Sequence, residues 1–221
     1  MELPMNALRA HPHATRGFTL VELAVALVIL GLIIGGLIRP LSSQMEQARR
    51  TDTRQALERI HAALLGYALA SGRLPCPDRN GDGRADACSP SAGRLAVGGL
   101  PWADLGMPDR DAWGQPWTYA VNGAFTRAPI GYTTAATGSG RIEVRESAGC
   151  RGTLHVRGAP ALVLSGGATR HATALERENR DRDRCFVSLP YVSTAGRRFD
   201  DLVDWIARPE LLARLAEGGR L

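Results

Sequence analysis

Twenty-one consecutive residues, Phe18 to Ile38, contain only two clearly polar side chains, Thr19 and Glu22. No other stretch limits the fold as much. As a helix rising about 1.5 Å per residue, the run is long enough for a bilayer core of roughly 30 Å. It has no polar face to turn toward water, which favours a transmembrane segment over a buried core helix. Glu22 is out of place in such a span, where a carboxylate costs about 2.5–3.5 kcal/mol on insertion scales. It either reaches the interface or pairs with a positive charge on a neighbouring molecule.

The 221 residues allow one or two domains, and the part beyond the span is large enough for a core of its own. All 27 basic residues are arginine and the formal net charge is +5. That charge is modest and scattered, so nucleic acid is not an expected partner. Cys76, Cys88, Cys150 and Cys185 form an even set after the span. Three pairings exist; in an oxidising compartment the simplest is Cys76–Cys88 with Cys150–Cys185, each worth about 2–4 kcal/mol. No two cysteines have the C-x₂-C spacing of a zinc ligand pair.

Taken in order, residues 1–17 form a polar leader with Pro4 and Pro12 and no apolar periodicity. Within the span, Gly31 and Gly35 are spaced for close helix approach, and Gly36 and Pro40 weaken the ladder. The helix then resumes over 39–71, with Leu41, Met45, Ala48, Leu57, Ile60, Leu64, Ala68 and Leu69 mostly at three-or-four spacing. Gly72, Pro75 and Pro77 end it. Residues 72–221 follow as a globular part.

The stretch 72–100 reads as loop, and it holds an EF-hand-like spacing of oxygen ligands. Asp78, Asn80 and Asp82 stand at positions 1, 3 and 5, Gly83 at the turn, the Arg84 carbonyl at 7 and Asp86 at 9. Alternating oxygens around a sharp turn suit calcium, a hard cation. Ser89 stands where a bidentate glutamate belongs, and Arg79 and Arg84 oppose a cation. An acidic turn stapled by Cys76–Cys88 is the competing reading, and both stay open.

Strands are predicted at 117–121, 141–146, 153–157, 160–165 and 185–189, from Val, Ile, Thr and aromatic content. The mixed-charge run 166–184 reads as an exposed loop, and Pro209 opens a short helix to about Glu217. Trp102, Trp113 and Trp117 read as core aromatics. No Gly-x-Ser-x-Gly, His-Glu-x-x-His or phosphate loop is present, and His61, His155, His171 and the trio Asp200, Asp201 and Asp204 make no catalytic pattern. The chain is not expected to be an enzyme.

Arg16-Gly17-Phe18-Thr19-Leu20-Val21-Glu22 resembles the processing site of type IV pilins and type II secretion pseudopilins. The resemblance implies cleavage after Gly17, methylation of the new Phe18 amine, and a Glu22 that accepts the ammonium of an adjacent subunit. Asp111-Ala112-Trp113-Gly114-Gln115-Pro116-Trp117-Thr118-Tyr119 is similar to a pseudopilin signature, a turn feeding the first strand, and Phe199–Ile206 to a late strand of such proteins. The implied fold is α+β, a long helix whose membrane half continues into an amphipathic half packed on an antiparallel sheet, with disulfide-closed loops. The implied function is a pseudopilin or minor pilin subunit of a type II secretion pseudopilus. A type IV pilus minor pilin in adhesion or DNA uptake, or a non-polymerising membrane-anchored calcium-binding module, is the alternative. The implied partners are a prepilin peptidase, other pilins or pseudopilins, an inner-membrane assembly platform and membrane lipid. Arginines before and after the span nearly balance. Orientation therefore rests on the leader and the cysteines: a single-pass inner-membrane protein, amino terminus cytoplasmic and globular part periplasmic.

Overall fold

The computed structural model describes residues 18–88, 94–131, 142–169, 173–194 and 197–221, with 34–41 described by backbone only. The leader with Gly17, together with Ser89 and His171, lies outside the described residues, as do the side-chain roles read for Gly35, Gly36 and Pro40. The chain divides into two compact units, Met1–Glu46 and Gln47–Leu221. A single helix, α1 (Leu20–Ser71), starts in the first and ends in the second.

In the first unit α1 opens on a side-chain cap. Glu22 N–H donates to Thr19 Oγ1 at 3.2 Å, so Thr19-Leu20-Val21-Glu22 starts the helix and sets Glu22 in its first turn. An acid there meets the positive end of the helix dipole, a reason for Glu22 that the apolarity of its neighbours hides. The transmembrane expectation is corrected: among the described residues no helix is long and apolar enough to cross a membrane. The single-pass inner-membrane topology, with its cytoplasmic and periplasmic sides, falls with it.

The second unit is a mixed α+β fold built in three layers. The buried face of α1 begins at Arg50 and Thr53 and continues through Ala56, Leu57, Ile60, Leu64 and Ala68. The expected stripe started earlier, but Met45 and Ala48 are exposed. Arg50 is covered by the ring of Tyr191, 3.6 Å from the guanidinium carbon, which lets a cation lie among apolar groups. Gly72 N–H bonds Ala68 C=O at 2.8 Å and ends the helix.

A four-stranded sheet packs on α1, ordered β1 (Leu95–Gly99), β2 (Thr118–Asn122), β5 (Ala161–Ser165) and β7 (Leu202–Ile206), all neighbours antiparallel. Alternation sorts its side chains: Tyr119, Val121, Ala161 and Val163 join the α1 core, with Leu211 and Leu215 of the closing helix α4 (Arg208–Glu217). Ala120, Leu162 and Leu164 face the other way, onto Ile142, Val144, Ala159 and Phe186. Those belong to a second sheet of three strands, β4 (Arg151–Ala159), β3 (Ile142–Ser147) and β6 (Cys185–Val187). With both faces covered, β5 is buried at all five positions, Ala-Leu-Val-Leu-Ser.

The expected single antiparallel sheet is therefore two, and β3 pairs with β6 in parallel. Strand β1 lies inside the segment read as loop, because its Leu-Ala-Val-Gly-Gly lacks β-branched repetition. Gly98 is required there: a Cβ would stand 2.7 Å from the Asp78 carbonyl, which crosses close to the strand. The charged run read as loop holds a short helix, α3 (Ala174–Glu178), started by the Thr173–Glu176 capping box.

Candidate functional site

The acidic loop is closed at its base by the Cys76–Cys88 disulfide and enters beside β1, where Asp78 and Gly99 exchange both backbone hydrogen bonds. Asp78 is buried and organises the turn. Its Oδ1 accepts from Asn80 and Gly81 N–H (3.1 and 2.7 Å) and its Oδ2 from Gly83 N–H (2.7 Å). Asn80 Oδ1 accepts from Asp82 N–H, and Asp82 Oδ1 from Arg84 N–H. Asp86 Oδ2 closes the circle on Arg79 N–H at 2.6 Å. Each acid thus folds back on backbone donors of its own loop.

The Asn80 amide NH₂ sits between Asp82 Oδ2 (3.1 Å) and Asp86 Oδ1 (3.4 Å), putting partial positive charge where the acids point. The far side of the loop rests on α2 (Trp102–Leu105). Gly83 C=O accepts from Ala103 N–H, Ala85 N–H donates to Asp104 Oδ2, and Trp102 lies against Gly83.

Among the described residues, three His, Cys, Asp or Glu ligand atoms come within 4.8 Å of one another in two groups of the second unit, and Asp78, Asp82 and Asp86 of the loop are in neither. One is Glu178, Asp183 and Cys185, but the Cys185 sulfur is bonded to Cys150 and is no thiolate. Glu178 there accepts from Gly149 N–H and Asp183 from Cys185 N–H.

The other group is Glu176, Asp200 and Asp201, all buried. Asp201 meets Arg180 in a two-pronged ion pair (2.9 and 3.1 Å) and accepts from Asn179 Nδ2. Burial still lifts its carboxyl to about 6, with Arg180 opposing. Burial raises Asp200 as well, against the hydrogen bond from Thr169. Glu176 spends one oxygen on the α3 cap and the other on Asp200 N–H. The first group is left with two carboxylates, whereas the buried trio has all three acids and could by composition hold a metal ion.

A third constellation ties α1 to the C-terminal elements. His61 Nδ1 meets Asp204 Oδ2 of β7 at 2.8 Å, and Nε2 meets Glu210 Oε1 of α4 at 3.0 Å. The Asp204 bond lifts the imidazole to about 9, with burial opposing and Glu210 assisting. The carboxylates lie at opposite edges of the ring, so the arrangement is a protonated clamp. A histidine raised from 6.5 to about 9 stabilises the fold fully below pH 6.5, and the gain disappears as pH rises through 9. With both acids partly exposed, we expect His61→Gln to cost about 1–2 kcal/mol at pH 6 and almost nothing near pH 10, read by urea unfolding. A gap independent of pH would rule the clamp out.

The turn in the tryptophan-rich signature is explained by Asp111. Its Oδ1 accepts from Trp113 and Gln115 N–H, and its Oδ2 from Ser165 Oγ at 2.5 Å, which pins the turn to β5. Trp117 is buried beside Tyr119, in the role expected of core aromatics.

Residues 12–38 match the Prokaryotic N-terminal methylation motif. No curated protein and no solved structure matches the chain. The match covers Gly17, Phe18 and Glu22 together with the apolar start of α1. The chain thus carries an N-terminal prepilin-type methylation motif, matching the signature of type IV pilins and pseudopilins.

Proposed function

We propose that this chain is a pilin-type subunit, cut by a prepilin peptidase between Gly17 and Phe18 and methylated on the new Phe18 amine, whose globular unit binds calcium. The methylation motif over residues 12–38 carries the first half. The loop 78–86 supports the second. Asp78, Asn80, Asp82 and Asp86, with the Arg84 carbonyl, offer an all-oxygen donor set on a turn already bent by the Asp78–Gly83 hydrogen bond. A bound calcium ion would supply the positive charge for which the Asn80 amide stands in. The role is binding and assembly, with no catalysis assigned.

The test has two arms. The intact mass of the native polypeptide should lack residues 1–17 and carry one extra methyl at Phe18. Calcium at one hundred times its dissociation constant should stabilise the protein by about 2.7 kcal/mol, magnesium far less. Asp82→Ala with Asp86→Ala should erase that gain. A retained leader overturns the processing, and a calcium gain that survives the double substitution, or none at 10 mM, overturns the loop.

A second reading concerns what α1 meets. Phe18, Leu20, Leu32 and Val21 are each more than two-thirds exposed, and their neighbours through Ile33 about half. Such a surface favours burial against like helices of other subunits, as in a type IV pilus or a type II secretion pseudopilus. Glu22 then meets the Phe18 ammonium of the adjacent subunit. Incorporation of Glu22→Ala into filaments, scored by immunogold labelling, should fail; wild-type incorporation by that variant sinks the reading.

A further inference from the structure

Among the described residues no strand pairs with the outer edge of β1, and a cleft with arginines in its wall adjoins the strand. Gly99 spends its N–H and C=O on Asp78, away from β2. Arg94, five residues back, turns its C=O toward the β2 side and accepts from Gly123 N–H. Antiparallel alternation then sends the backbone groups of Leu95 and Val97 outward, on the same edge as those of Gly99. Asp78 covers Gly99, and the chain turns away at Arg79. Among the described residues no backbone hydrogen bond reaches the outward groups of Leu95 and Val97. Leu95, Val97 and Gly99 also line a cavity of about 780 Å³, whose wall includes Arg79, Thr118 of β2, Arg180 and Arg182.

Charge in that wall is one-sided. Arg79 and Arg182 are exposed. Arg180 is committed to Asp201, and the one acid in the wall, Asp78, has both oxygens occupied by loop N–H groups. Exposed guanidinium groups beside strand donors and acceptors that have no backbone partner among the described residues suit an acidic chain in extended form.

We propose that this edge binds an extended acidic peptide segment of another protein, which adds as a strand next to β1 and continues the line begun by Asp78. Its backbone pairs with Leu95 and Val97, and its carboxylates meet Arg79 and Arg182. The peptide contacts, the Leu95 and Val97 backbone with the Arg79 and Arg182 side chains, include no oxygen donor to the cation and need no cation, so their failure in calcium-free solution and that of the calcium reading are distinguishable.

The probe is a blocked hexapeptide, Thr-Asp-Val-Asp-Val-Thr, titrated into the full chain without calcium and followed by amide chemical shifts. Shifts concentrated at Leu95 and Val97 are expected, with a dissociation constant below 1 mM. The counterpart with Asn for Asp should bind at least fivefold more weakly. The Arg79→Glu/Arg182→Glu double variant should lose the same factor while keeping its melting temperature. Equal binding of the two peptides, shifts elsewhere, no binding at 1 mM, or closure of the edge by self-association each overturns the proposal.

Discussion

Ile60→Ala lowers the stability of the globular unit by about 3–4 kcal/mol and its melting temperature by roughly 10 °C. Ile60 has no solvent exposure and lies on the face of α1 that packs with Tyr119, Val121, Val163 and Ile206. Truncation there removes apolar contact and leaves a void that neighbours on α1 and the sheet cannot close together. A folded domain holds only about 5–15 kcal/mol in total, so one side chain accounts for much of the margin. Glu58→Ala, exposed on the same helix, should change stability by less than about 0.5 kcal/mol. Equal effects from the two, in chemical unfolding, would mean that α1 is not seated on the sheet as described.

Gly83→Ala is the second large effect, and its size separates two causes. Gly83 has φ +80°, and a Cβ there would stand 2.4 Å from Trp102 Cε2. The ring is fixed by α2, so loop and helix have to part, at about 2–4 kcal/mol including backbone strain. Gly81 has a similar φ of +85°, with nothing within 4 Å of its Cβ position. Gly81→Ala should therefore cost only the strain, about 1–2 kcal/mol. If both variants melt together, the docking of the loop on Trp102 contributes nothing. Calcium affinity should fall in the first and change little in the second, because only the first moves the turn.

The sequence made short-range features legible. Buried spacing along α1 from Leu57 to Ala68, the strands around Thr118 and Ala161, and the helix opened at Pro209 follow from periodicity and turn chemistry within about a dozen residues. The turn at 78–86 was readable because its acids are close in the chain, and their carboxylates bind backbone donors of the same loop. Long-range pairings were hidden. Nothing near Cys185 announces a parallel partner in β3, and His61 meets its acids across 143 and 149 positions. The Thr173–Glu176 cap had a local signal, Thr-x-x-Glu, masked by the charges around it. The apolar run pointed to a span, yet no helix is long and apolar enough for one among the described residues, and Thr19 and Glu22 instead begin a helix.

That beginning bears on maturation. The hydroxyl that holds the first turn belongs to Thr19, downstream of the Gly17–Phe18 junction, so the proposed cleavage would leave the helical start with its own fastening. The amine released at Phe18 would repel the like-signed end of the backbone dipole. Glu22, in the first turn, would offset that repulsion within the same polypeptide before any neighbour is met.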